Sequence, residues 1–160
     1  MPFDRSAIDR YRAGAGVPGA LVAGLTAEEL AARPGPGAWS LRELVMHLMD
    51  SDLVGSDRMK RVIAEENPTL LAYDQDAFAR RLGYDRLDLG LACEIFRLNR
   101  LMTADLLAGL TDADFERAGM HTERGRETLE DLVHGYVEHL EYHARFAREK
   151  RERLGRGMPE

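Results

Sequence analysis

The chain has one cysteine in 160 residues, Cys93, so no intrachain disulfide can form and the stapled, secreted scaffolds are excluded. No stretch approaches the roughly 18 consecutive apolar residues that cross a bilayer. The opening "MPFDRSAIDRYR" also lacks the uninterrupted apolar core of a signal peptide. A reducing cytoplasm is the expected location, with no membrane partner. Positive charge is scarce: 22 Lys and Arg stand against 28 Asp and Glu, a net −6. The basic residues are scattered, and "AREKRER" at 147–153 reads as a solvated helix end. Nucleic acid, which needs a concentrated basic face, is therefore not an expected partner. Alternating β-branched runs are missing too, which argues against a sheet-based core.

What remains is an ordinary globular composition, 44% apolar and 31% charged. A chain of this length forms about one domain, here taken as 1–160, and buries roughly two-thirds of its unfolded surface. Three polar or Gly/Pro-rich breaks divide it: "RPGPGAWS" (33–40), "ENPTLLAYD" (66–74) and "AGMHTERGRET" (118–128). Apolar residues recur at helical spacing between them. Ser40 followed by Glu43 forms a capping box for a helix on Leu41, Leu44, Val45 and Leu48 that runs to about Glu65. A further helix is predicted from about Asp88 to Leu110, with Leu91, Ile95, Leu98, Leu101 and Leu106 inward. Thr128 and Asp131 cap a last helix from Leu129 to about Leu154, whose stripe is Leu132, Val133, Tyr136, Val137 and Leu140. The first 30 residues read as helical but broken at Gly14, Gly16 and Pro18. The expected fold is all-α, an up-down-type four-helix bundle with extra short helices.

The histidines carry the functional signal. In "YVEHLEYH" (136–143), His139 and His143 lie four apart, so both rings leave one helical face toward one point. Such a pair can fill two corners of a divalent metal site, although the spacing is common and the Glu of HExxH is missing. Position strengthens it: with Tyr136, both histidines run along the edge of the core stripe. An inward polar pair needs partners. His47 lies on the border of its own stripe, and packing of its helix against the last one would bring three nitrogens together. Taken singly, a histidine in the place of His47 is usually a hydrogen-bonded core residue. His121, in the "HTERG" loop, is a loop anchor or a site-mouth residue beside Glu123, and His134 reads as surface. Cys93 reads as a small core residue and Trp39 as a hydrophobic anchor for its loop. Asp50 and Asp52, which flank the His47 turn, are either solvated carboxylates or supports of the site.

Three segments together resemble the DinB superfamily of damage-inducible, four-helix metalloenzymes: "RPGPGAWSLRELVMHLMDSD", then Arg58 eleven residues after His47, then "HTERGRETLEDLVHGYVEHLEYH". The likeness runs over roughly residues 20–150. It implies that His47, His139 and His143 hold a divalent metal, zinc or nickel, and that the protein is a homodimer. Two positions depart from the family pattern: Asp52 stands where a Glu is frequent, and Leu140 stands where an acidic residue often follows the first of the paired histidines.

Three protein nitrogens leave a coordination position open, the arrangement of a catalytic rather than a structural ion. Such an ion lowers the pKa of a bound water or thiol. The resemblance favours a low-molecular-weight thiol as co-substrate, transferred to a small electrophile. Water, giving a metal-dependent hydrolase, is the alternative, and a non-catalytic metal-binding stress-response protein is a third reading. Asp50, Arg58, Tyr84, His121, Glu123 and Tyr136 are the candidates for the mouth of the site or its support; none stands out as a general base.

Overall fold

The computed structural model describes residues 2–159. In chain order the elements are α1 (Ser6–Ala13), a 3₁₀ turn (Gly14–Gly16), α2 (Val17–Val22), α3 (Ala27–Ala31), α4 (Leu41–Ala64), β1 (Thr69–Leu70), α5 (Gln75–Arg81), α6 (Leu89–Ala108), α7 (Asp112–Phe115), β2 (Ala118–His121), β3 (Gly125–Thr128) and α8 (Leu129–Arg153). The two predicted caps start α4 and α8, and the structure adds a third at α6. Ser40 and Glu43 form a capping box at α4, Asp88 caps α6, and Thr128 and Asp131 form the box at α8. Each satisfies backbone N–H groups that the first turn would otherwise leave unpaired.

A four-helix bundle results, with α1 continued by α2 as its broken fourth member. Around the ring the order is α1, α6, α4, α8. Helices α4 and α8 are antiparallel, since His47 meets His139 while Arg58 meets Tyr136. Helices α1 and α6 are also antiparallel, with Arg5 at Leu110 and Arg12 at Asp105. In one respect the arrangement differs from a simple up-down order: α4 and α6 run the same way, Met46 and Met49 packing with Phe96, and Met59 and Val62 with Leu107. The connection 65–88, which carries β1 and α5, is long enough to return the chain to its starting end.

The rotation of α6 corrects the sequence reading. Leu91, Leu98 and Leu106 are exposed at 59%, 52% and 39%, while Ala92, Phe96, Arg100, Thr103, Ala104 and Leu107 face inward. The helix is apolar on two faces, and periodicity cannot choose between them. The choice is made by Arg100, which is 1% exposed and bonds through Nε to Asp52 Oδ1 at 2.8 Å. Its remaining nitrogens donate to the carbonyls of Tyr136 (2.7 Å) and Tyr11 (3.3 Å), and Asn99 donates to the other Asp52 oxygen. Asp52 is thus a buried ion-pair partner, not a solvated carboxylate. Gly14 makes room for this centre: a Cβ there would lie 2.5 Å from Leu140 and 2.8 Å from the Arg100 guanidinium. Nor is 147–153 wholly solvated. Arg151 is buried and donates to the carbonyls of Leu21, Ala23 and Gly157 at the ends of α2 and the chain.

The break at 118–128 is a β-hairpin rather than an irregular loop. Strands β2 and β3 are antiparallel, with Ala118 opposite Thr128 and His121 opposite Gly125, and β1 adds in parallel to the other edge of β2. Gly125 takes φ +81°, the left-handed conformation that closes such short loops. These strands are too short to show an alternating pattern, which is why the sequence reads as all helix plus loops.

Replacing Asp52 alone by Ala should lower stability by about 3–5 kcal/mol in urea unfolding, because a buried guanidinium is left unpaired. The pair Asp52→Leu with Arg100→Met should cost much less, and equal losses in both would remove the ion pair from its organising role.

Candidate metal centre

His47 sits two turns into α4, held inward by the Leu44, Val45 and Leu48 stripe, and is 1% exposed. His139 and His143 leave the facing side of α8, one turn apart. Antiparallel packing brings the three together: their nearest ligating nitrogens all lie within 4.8 Å of one another. The Nε2 atoms of His47 and His139 are 3.1 Å apart, and the ring centroids are 4.6–5.1 Å apart. Nitrogens at about 2.0–2.1 Å from one tetrahedral ion would be separated by roughly 3.3–3.4 Å, so the His47–His139 spacing suits a shared ion.

The electrostatics suit one as well. Burial, followed by the neighbouring His139 and His143, pushes His47 down to about 3. His139 is pushed down to about 4 by burial, His143 and Arg100, and His143 to about 4 by burial and Lys150. All three rings are neutral at pH 7, the protonation state a metal ligand needs. His47 Nδ1 is buried with no hydrogen-bond partner, so no carboxylate or carbonyl orients this ring. Packing does so instead: the Trp39 indole lies 4.8 Å from it, centroid to centroid. Trp39 therefore supports the site and does more than anchor its loop.

A cavity of about 320 Å³ opens beside the cluster, lined by His139 and Tyr136 from α8, Ser51 and Arg58 from α4, Tyr73, and His121 at the end of β2. Tyr136 lies flat on α4 because residue 55 is glycine; a Cβ there would fall 2.5–2.7 Å from three of its ring atoms. Its hydroxyl accepts from Arg58 Nη1 at 3.1 Å, and Arg58 Nη2 donates to the Leu71 carbonyl. His121 is 4% exposed, and its Nδ1 accepts the backbone N–H groups of Glu123 (3.2 Å) and Arg124 (3.3 Å). His121 thus anchors the hairpin tip and also lines the cavity. Glu123 and Arg124 line the same space.

Asp50 does not. It accepts the Tyr84 hydroxyl at 2.5 Å, and neither residue lines the cavity. Its place on α4, three residues past His47, turns it toward the segment before α6. His134 is half-buried near Glu130, away from the cluster. Cys93 is half-buried and burial pushes its thiol up, which leaves no activated thiolate. Tyr73 and Arg124, passed over in the sequence, had only their places inside two of the chain breaks to mark them.

The comparisons with known proteins agree with this geometry. The family model of the DinB superfamily matches residues 19–147. A Bacillus licheniformis protein, named as a candidate metal-dependent hydrolase, is 32% identical over 120 residues, 74% of this chain and 68% of that one. YfiT from Bacillus subtilis, named likewise, is 32% identical over 121 residues, 74% of this chain and 67% of its own. The solved structure of YfiT, described as a candidate metal-dependent hydrolase with an unusual four-helix-bundle topology, superposes with a TM-score of 0.89 at 25% identity. That superposition covers 95% of this chain and 87% of YfiT. A second B. subtilis structure, a DinB-like protein, shares the fold with a TM-score of 0.67 at 16% identity, over 97% and 96% of the two chains.

Unfolded imidazoles titrate near 6.5, so metal-free protein binds fewer protons folded than unfolded from about pH 6.5 down to about 3. Its stability should therefore fall as the pH drops through that window. Thermal unfolding in chelator between about pH 7.5 and 5 checks this; His139→Asn should flatten the slope, and a flat wild-type profile would refute a buried neutral cluster. Trp39→Ala should weaken metal affinity about 10- to 100-fold, measured by competition with a chromogenic chelator.

Proposed function

The chain belongs to the DinB superfamily, and from that membership we propose that it is a metal-dependent hydrolase whose ion is held by His47, His139 and His143. The observation that carries the reading is the convergence of three neutral imidazoles, one buried and two half-buried, from two facing helices beside a polar cavity. The donor set, nitrogen only, suits zinc or nickel better than the oxygen-seeking magnesium or calcium. A divalent ion bound there would make a water it carries a nucleophile at neutral pH and would polarise a carbonyl.

The chain's own residues supply the rest. The three rings need not lose protons to bind the ion at pH 7. Trp39 and the α4 stripe keep bulk water from the His47 side. Arg58 fixes the Tyr136 hydroxyl at the cavity wall next to His139. A thiol could occupy the same open position, but the relatives described above carry hydrolase names and no feature of the cavity selects a thiol over water. A cytoplasmic location goes with this reading, on the strength of the lone, half-buried Cys93. No helix among the described residues is long and apolar enough to cross a membrane.

The outward face of α6 supports a homodimer. Leu91, Leu98, Met102 (70% exposed) and Leu106 follow at seven-, four- and four-residue steps, one apolar stripe about 22 Å long opposite the core face. A second copy of the same helix is its natural cover. Leu98→Glu with Met102→Glu should convert a dimer to a monomer in sedimentation velocity while leaving helix content unchanged; a wild-type monomer at all concentrations would dispose of the dimer.

Elemental analysis of tag-free protein purified without chelator tests the metal. Near-stoichiometric zinc or nickel is expected, lost in His47→Ala, His139→Ala and His143→Ala and kept in His134→Ala. Equal retention in all four would sink the triad. Hydrolysis of ester and amide panels by the loaded protein, with ¹⁸O from labelled water entering the product and no thiol required, is the expected activity. A strict, stoichiometric thiol requirement would replace hydrolysis by transfer.

A further inference from the structure

We propose that the cavity beside the three imidazoles recognises a carboxylate, held between Arg58 and His121, so that the substrate is a small carboxylic acid bearing the hydrolysable group. The word substrate rests on the hydrolase reading; the anion site does not. Arg58 is 5% exposed and forms no ion pair among the described residues. Two of its nitrogens are engaged by neutral oxygens, of Tyr136 and Leu71, and its Nε is buried with no partner at all. A guanidinium withdrawn from water without a counter-ion is costly, and proteins retain such a group where an anion arrives to offset the cost.

His121 carries a second donor without an acceptor. Its Nδ1 accepts two backbone N–H groups, which leaves the ring proton on Nε2. That Nε2 is buried and also has no acceptor. Both residues line the one cavity that His139 also lines. Of the acids on its wall, Glu127 is paired with Arg124, and Asp131 accepts from the Thr128 cap. Glu123 is exposed and bonds to neither orphan donor.

The chemistry selects among anions. Two single N–H donors on different elements match the two oxygens of a carboxylate. A phosphate dianion would need more donors than these two. The volume, about 320 Å³, suits a small acid.

The test is titration of the full-length protein, metal-loaded and metal-stripped, with acetate, propionate and butyrate against butyramide and inorganic phosphate, followed by ¹H–¹⁵N NMR. Saturable shifts of the Arg58 Nε–H and His121 Nε2–H signals with a carboxylate, absent with butyramide, are expected in both forms. Arg58→Gln and His121→Leu should each weaken carboxylate binding at least tenfold, and His143→Ala should leave it within twofold. If Arg58→Gln does not fold, the wild-type shifts and His121→Leu decide the matter alone. Binding no tighter than butyramide, tighter binding of phosphate, or loss of binding with the metal would each overturn the proposal. Carboxylate binding by a protein found to hold no metal would keep the anion site and discard the hydrolase.

Discussion

The bundle is organised around one buried ion pair. Arg100 and Asp52 are each about 1% exposed, and the guanidinium lies between the rings of Tyr11 at 4.2 Å and Phe96 at 4.9 Å. Through three hydrogen bonds Arg100 touches α1, α4 and α8 from its place on α6. Burial alone pushes the Asp52 carboxyl up, and Arg100, Asn99 and Tyr11 work against that. Such a pair contributes little net stability; what it gives is a single arrangement. It sets the rotation of α6, and through the Tyr136 carbonyl it sets the position of α8 one turn before His139. Because Asp52 follows His47 by five residues on α4, the same contact fixes how far α4 and α8 slide past each other, and hence whether the imidazoles meet.

Much of this was legible in the sequence, and the limits have physical causes. Helix starts were readable because S-x-x-E and T-x-x-D solve a local problem, unpaired N–H groups, with residues three apart. The inward direction of His139 and His143 was readable from their place on the Leu132–Leu140 stripe. Their meeting with His47 needed a long-range fact, the antiparallel packing of α4 on α8, which family resemblance supplied and spacing did not. The face of α6 was misread because a leucine stripe outweighs alanine and a lone arginine on any hydropathy count. Arg100 and Arg151 look like surface residues until their acceptors, far along the chain, are known. Asp50 looked like a site residue by proximity in sequence, yet it belongs with Tyr84, 34 residues away.

Charge ties the centre to its cavity. Three neutral imidazoles would leave a divalent ion its full charge, since no carboxylate joins the set. Arg58 adds a second buried cation on the cavity wall. In a protein with a net charge of −6, Arg58 is thus a buried cation with no ion-pair partner among the described residues.

The three strands stand apart from the bundle in what they contribute. Strand β1 is tied to β2 by Met120 N–H to the Pro68 carbonyl and Thr122 N–H to the Leu70 carbonyl, and the Thr122 hydroxyl accepts the Ala72 N–H. The hairpin and the 68–73 segment therefore form one plate, bearing His121, Glu123, Arg124 and Tyr73, while the imidazoles belong wholly to α4 and α8. The cavity wall is thus built from two parts, the plate on one side and α4 and α8 on the other, and only the helices carry the imidazoles. A change in the length or side chains of the plate would therefore reshape one wall of the cavity and leave the imidazoles where they are.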